Sequence, residues 1–234
     1  METSSLLAEL RAATPLIGPS LLACDFGHLA REVGALEEAG TRLLHMDIMD
    51  GHFVPNLSFG LPIVEAVRRV TSLPLDVHLM ISDPGRYVER FREAGADLIT
   101  FHAEAVAEPV PLLRRIRGLG ALAGIAISPP TPASVLETCV GECELVLVMS
   151  VMPGFGGQEF RQDALDKVRW LSSRFPSDVL LSVDGGLNGE TIAPCAAAGA
   201  NTFVVGTGLF RYPDYGKRLT ELCAVANSAR GVPV

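Results

Sequence analysis

Between residues 45 and 56 the chain reads HMDIMDGHFVPN, which sets His45, Asp47 and Met49 at alternate positions. Alternate side chains of a strand share one face. An imidazole and a carboxylate on the inner face of a strand cost several kcal/mol to bury unless something pairs them. The pattern therefore calls for a partner elsewhere in the fold, or for a metal. Two more stretches have the same form. PLDVHLM (74–80) aligns Asp76, His78 and Met80, and DVLLSVD (178–184) aligns Ser182 and Asp184. If these faces point the same way, two imidazoles and two carboxylates, His45, Asp47, His78 and Asp184, meet at one place. That donor set suits one divalent transition ion. Mixed nitrogen and oxygen ligands admit zinc, iron, manganese or cobalt alike. His28 and His52 are expected to be hydrogen-bonded structural residues. His102 is open between a structural and a functional role. Cys24 and Met152 lie near the same end with no chemistry assigned.

Glycine supplies the second signal. PGFGGQ follows one apolar run and holds Gly154, Gly156 and Gly157. DGG follows the next and holds Gly185 and Gly186, and VGTG then holds Gly206, Thr207 and Gly208. Glycine lets a backbone turn present its N–H groups to an anion. Three such turns in succession predict a phosphate cradle, with GLFRY opening a short helix beside it. Lysine is scarce. Only Lys167 and Lys217 occur, both in expected outer helices, which argues against imine chemistry. A metal, two carboxylates and a phosphate cradle suit a phosphorylated sugar with a carbonyl. Abstracting a proton beside a ketone leaves a poor anion, which a Lewis acid stabilises. Inverting the carbon needs a base on one face and an acid on the other, and Asp47 and Asp184 suit those roles. Met49, Met80 and Met149 fit either a dry lining or plain core packing.

An αβ grammar positions these residues. EAGTRLLHMD (38–47), EAGADLITFH (93–102) and AAGANTFVVG (197–206) each read as helix end, C-cap glycine and apolar strand. Other strand-like runs are IGPSLLA (17–23), PLDVHLM, ALAGIAIS (121–128), ELVLVMS (144–150) and DVLLSVD, which makes eight. Helical spacing fills the gaps, as in EVGALEEA, PIVEAVRRV, PGRYVERFREA, PVPLLRRIRGL, PASVLETCV, DALDKVRWLSSRF and ETIAPCAAA. Eight units in one chain of 234 residues predict an α/β fold, a single-domain (β/α)8 TIM barrel over 15–234. Residues 1–14 form a lead-in, expected as a surface helix. A doubly wound open sheet is the competing architecture, but no GxGxxG turn follows the first strand. In a barrel the functional end is the C-terminal end of the strands, where the polar residues fall.

Net charge is −8, which disfavours nucleic acid and anionic membrane surfaces as partners. No apolar run reaches membrane-span length. Five cysteines without a CxxC pair, behind an N-terminus lacking a signal-peptide pattern, predict free thiols and a cytoplasmic location.

In this order, SLLACDF (20–26), HMDIMDGHFVPN, PLDVHLM, PGFGGQ and VDGG resemble the ribulose-phosphate 3-epimerase family from about residue 16 to about 222. The resemblance implies a barrel that interconverts D-ribulose 5-phosphate and D-xylulose 5-phosphate through an enediolate on a divalent metal. It implies metal ligands at His45, Asp47, His78 and Asp184, and an acid/base pair at Asp47 and Asp184. Implied substrate contacts are Ser20, His78, Met49, Met80, Met149, Gly154, Phe155, Gly156, Gly157, Gly185, Gly186, Gly206 and Thr207. It also implies a homo-oligomer. Three positions depart from the family pattern. Ser182 stands where Glu is usual, Thr207 where Ser is usual, and Met152 where Asn, Glu or Asp is common. VGTGLF looks closer to the related allulose-phosphate 3-epimerases. Three readings follow: a pentulose-phosphate epimerase, a hexulose-phosphate epimerase, and a non-catalytic barrel that binds a sugar phosphate.

Overall fold

The computed structural model describes residues 3–230. The expected lead-in over 1–14 and barrel over 15–234 run past these bounds, and residues 1, 2 and 231–234 lie outside the described residues. Among the described residues, eight strands form one sheet: β1 (Leu16–Pro19), β2 (Leu44–Met49), β3 (Leu75–Met80), β4 (Leu98–His102), β5 (Leu122–Ile127), β6 (Leu145–Met149), β7 (Leu180–Asp184) and β8 (Thr202–Val205). Every pairing is parallel, in the order β1-β8-β7-β6-β5-β4-β3-β2. A single parallel bridge, Ser20 to His45, joins β1 to β2 and brings the two ends of the sheet together. The result is the (β/α)8 TIM barrel that the repeat count predicts, in one domain.

The helices are α1 (Thr3–Ala12), α2 (Leu29–Glu38), α3 (Leu61–Val70), α4 (Val88–Glu93), α5 (Pro109–Gly118), α6 (Ala164–Ser172), α7 (Ile192–Ala197), α8 (Thr207–Phe210) and α9 (Tyr215–Ala229). Helices α2 to α7 follow strands and press their apolar stripes on the outer face of the barrel. Val33 and Leu36 of α2 and Val64 and Val67 of α3 are fully buried there. Two segments differ from the sequence reading. PASVLETCV forms a 3₁₀ turn over Ala133–Cys139 rather than an α-helix. Prolines at 129, 130 and 132 and the β-branched Val135 and Thr138 leave it little helix propensity. IGPSLLA is a strand only as far as Pro19, and Leu21–Ala23 turn as a 3₁₀ helix.

The inner face follows the period of two. Leu16, Leu43, Leu98, Leu122, Leu145 and Leu180 fill the lower barrel in one apolar cluster. Leu6 and Leu10 of α1 belong to the same cluster and are 4% and 2% exposed. The lead-in is thus more than a surface helix, since it seals the floor. Nearer the C-terminal ends the inward positions turn polar: Ser20, His45, Asp47, Asp76, His78, Thr100, His102 and Ser182 are all buried. Leu10→Ala is expected to cost about 2–4 kcal/mol of stability. Urea unfolding reads that loss, with the reaction rate at 25 °C unchanged because the floor lies away from the mouth.

Candidate active site

Strand register brings the predicted residues together. His45 lies beside Asp76 and Asp47 beside His78 across the β2–β3 pair, and Asp184 lies beside Met149 across β6–β7. One ligand atom each from His45, Asp47, His78 and Asp184 lies within 4.8 Å of all the others. Asp47 is the hub. Its Oδ1 is 3.2 Å from His45 Nε2 and 3.0 Å from His78 Nδ1. Its Oδ2 accepts a 2.6 Å hydrogen bond from Ser20 Oγ. The far nitrogen of each imidazole is also occupied. His45 Nδ1 lies 2.7 Å from Asp76 Oδ2, and His78 Nε2 lies 2.9 Å from His102 Nε2. Asp76 is held in turn by Thr100 Oγ1 at 3.3 Å.

This arrangement separates the two carboxylates electrostatically. Burial works to raise both. For Asp47 it is outweighed by His45 and His78, and its carboxyl is held well below the usual range. Asp184 has no side-chain hydrogen-bond partner among the described residues. Burial, and then the charge of Asp47, push it up to about 7. His78 is lowered to about 4, first by burial, with the His102 ring adding to the effect against the pull of Asp47. His45 is raised, because Asp47 and Asp76 outweigh its burial.

The group fits a divalent cation. Two nitrogens and two carboxylates converge, both imidazoles have their outer nitrogens held, and the two acids repel one another unless positive charge lies between them. Such outer partners are a regular part of metal sites. Asp76 and His102 were the residues that sequence reasoning left without this role. The period of two put Asp76 on the face of His78, but it named no partner for either histidine.

Above the cluster lies a cavity of about 180 Å³, which suits a small metabolite. Ser20, Asp47, Asp184 and the three methionines line it, together with Gly154–Gly157, Gly185, Gly186, Gly206 and Thr207. His45 and His78 are fully buried beneath it. The glycine turns are built for close approach. At Gly186, φ is +62° and an added Cβ would lie 2.6 Å from Phe160 N. Helix α8 opens at Thr207, one residue past Gly206. The loop over the cavity exposes Met152 and Phe155 yet is tied down. Gln158 Nε2 donates to the carbonyls of Met152 and Phe155 at 2.7 and 2.8 Å, and Asn56 Nδ2 donates to Gly154 O at 2.7 Å. These two amides were visible only as parts of motifs.

The remaining candidates separate cleanly. His28 pairs with Asp25 at 2.7 Å on the surface, and His52 closes its own turn onto Asp50 O at 3.0 Å. Cys24 is a buried thiol pushed up to about 12, first by burial, so it is a poor nucleophile. All five cysteines are free. Lys167 donates to the carbonyls of Ser128 and Pro129 and does not line the cavity.

A sequence model described as the ribulose-phosphate 3 epimerase family matches residues 16–210. The chain belongs to the ribulose-phosphate 3-epimerase family. It is an epimerase of the isomerase class, and family membership supports sugar-phosphate epimerisation. A ribulose-phosphate 3-epimerase of Bacillus subtilis is 43% identical over 88% of this chain and 97% of its own length. One from Mycobacterium tuberculosis is 44% identical over 92% of this chain and 94% of its own. A mutant tryptophan synthase alpha-subunit from Pyrococcus furiosus has a TM-score of 0.66 at 17% identity, covering 94% of this chain and 99% of that one. At that identity the likeness shows the fold alone. Membership sets aside the reading as a non-catalytic barrel. Among the described residues no helix is long and apolar enough to cross a membrane.

The site has a cost that can be measured. Asp184 binds its proton more tightly folded than unfolded, so its contribution to the stability of the metal-free protein is lost as pH rises from about 4 through about 7. Asp184→Asn removes that loss. At pH 8 the metal-free variant is expected to be more stable than the parent by roughly 2–4 kcal/mol, and at pH 4 nearly equal. Urea unfolding at the two pH values in chelator checks this.

Proposed function

We propose that this enzyme inverts carbon 3 of a ketose phosphate, interconverting D-ribulose 5-phosphate and D-xylulose 5-phosphate, with Asp47 and Asp184 as the acid/base pair. The observation that carries this reading is the convergence of those two carboxylates, from separate strands, at the mouth of one cavity. Inversion requires one group ready to take a proton and another ready to give one. The two lie on different strands, β2 and β7, so a planar substrate between them meets a carboxyl on each face.

Asp47 is oriented by Ser20 Oγ and by His45 Nε2, which aims one carboxylate edge, and His78 Nδ1 faces the same oxygen. It takes the carbon-3 proton from one face, and Asp184 returns one to the other. In the reverse direction the roles exchange. A divalent cation held by His45, Asp47, His78 and Asp184 would supply Lewis-acid stabilisation of the negative charge that develops on the substrate oxygens. Zinc, iron, manganese and cobalt all suit this donor set. Met49, Met80 and Met149 are buried against the cavity and exclude water from the planar intermediate. The turns at Gly185–Gly186 and Gly206–Thr207 hold the phosphate, leaving the ketose end over the carboxylates.

A second reading rests on Thr207 and on the VGTGLF turn, which favour D-allulose 6-phosphate under the same mechanism. Comparing kcat/KM for the two substrates separates them, and the larger value identifies the substrate. With ribulose 5-phosphate in D₂O, both epimers should gain deuterium at carbon 3. Asp184→Asn should lower turnover by about 10²–10⁴-fold with the fold intact. A near-parental rate would overturn the two-carboxylate assignment. Metal analysis of protein purified without chelator identifies the ion.

A further inference from the structure

Below the cavity a second row of polar groups runs sideways from the site. His78 Nε2 meets His102 Nε2 at 2.9 Å, and the two rings meet edge to edge, with centroids 5.0 Å apart and planes tilted by 26°. His102 Nδ1 lies 3.1 Å from Glu104 Oε2. The other oxygen of Glu104 accepts from Ser128 N at 2.7 Å and from Thr131 Oγ1. Ser128 Oγ also approaches His102 Nδ1, at 3.3 Å. Phe53 packs on the His102 ring at 4.8 Å. His102 is fully buried and stands outside the four-residue ligand group. The mechanism above uses neither His102 nor Glu104.

The direction of these bonds is forced from the carboxylate end. An ionised Glu104 only accepts, so the proton on His102 sits at Nδ1, while the hydroxyl of Ser128 is free to rotate to suit. A neutral His102 then offers a lone pair at Nε2. The 2.9 Å contact requires a donor opposite, so His78 carries its proton on Nε2. That leaves His78 Nδ1 as a bare lone pair, 3.0 Å from the anionic Oδ1 of Asp47. Two lone pairs facing at that distance repel unless a cation joins them.

We propose that His102 and Glu104 form a positioning relay that fixes the tautomer of His78, so that Nδ1 is the nitrogen presented to the metal. The inference rests on the metal reading above and adds a function for two residues outside the ligand set. Thr131 and the N–H of Ser128 fix the polarity of the relay, because they occupy one oxygen of Glu104 with donors and leave the other for His102. An amide at position 104 breaks that polarity. Its oxygen must face the two donors, so its NH₂ faces His102 Nδ1. His102 then protonates at Nε2 and donates to His78 Nε2, and the His78 proton moves to Nδ1, where it blocks ligation.

The test uses the full chain and Zn²⁺ as the probe. Competition with a chromophoric chelator gives the zinc Kd of the parent and of Glu104→Gln, and thermal unfolding of the metal-free forms checks the fold. Glu104→Gln is expected to raise the zinc Kd by about 10–100-fold, with the metal-free unfolding temperature near that of the parent. Long-range ¹H–¹⁵N correlation spectra of zinc-loaded parent protein should show His78 bound through Nδ1 and protonated at Nε2. That measurement needs no variant, and so it decides the matter even if Glu104→Gln does not fold. A Kd within about twofold of the parent, or His78 bound through Nε2, overturns the relay while leaving the metal site standing. Failure of the parent to bind zinc, cobalt or manganese overturns both.

Discussion

The structure turns on one carboxylate oxygen. Asp47 Oδ1 is the point where His45 Nε2 and His78 Nδ1 converge, and each of those rings is braced from behind. Behind His45 stand Asp76 and Thr100, and behind His78 stands His102. Buried ionisable groups are costly unless they are paired and hydrogen-bonded. Here the chain of partners crosses four strands, β1 through β4, counting the Ser20 that follows β1. The site is therefore a property of the barrel's register and not of any one loop. Shifting β3 by one residue against β2 would turn His78 outward and take one imidazole away from Asp47.

The same residues close the barrel. Ser20 and His45 make the bridge between β1 and β2, and both also hold Asp47 or stand beside it. Closure and site assembly are thus one event at this seam. The rest of the inner face is divided by depth. Leucines fill the lower part with α1 beneath them, and the polar network occupies the upper part. Stability and chemistry are separated along the axis, as the fold allows.

Much of this was legible from residue spacing. The alternation in HMDIM, LDVHLM and LLSVD placed His45, Asp47, His78 and Asp184 on inner faces, and the glycine turns marked the mouth. Period two says which face a side chain takes. It does not say which residue stands opposite on the next strand, because that depends on the stagger between strands. So the roles of Asp76, His102 and Glu104 emerged only from coordinates. The docking of α1 was hidden for a related reason. Leu6 and Leu10 look alike whether they face a barrel floor or another surface. Segment 133–139 misled because its apolar spacing is helical while its prolines and β-branched residues hold it to a 3₁₀ turn.

Ser182 shows how local composition tunes the acid pair. It lies two residues before Asp184 on the same inner face, and its hydroxyl is buried with no partner among the described residues. The family resemblance expects Glu there. A second carboxylate on that face would add negative charge near Asp184 and raise its proton affinity further. With serine, the displacement of Asp184 comes from burial and from Asp47, with Asp76 adding to it and His45 opposing it. Among nearby charges, Asp47 is thus the first to act on Asp184. What orients Asp47, namely Ser20 and His45 above all, also places the negative charge that Asp184 meets. The bracing behind His45 therefore reaches Asp184 through a single anion.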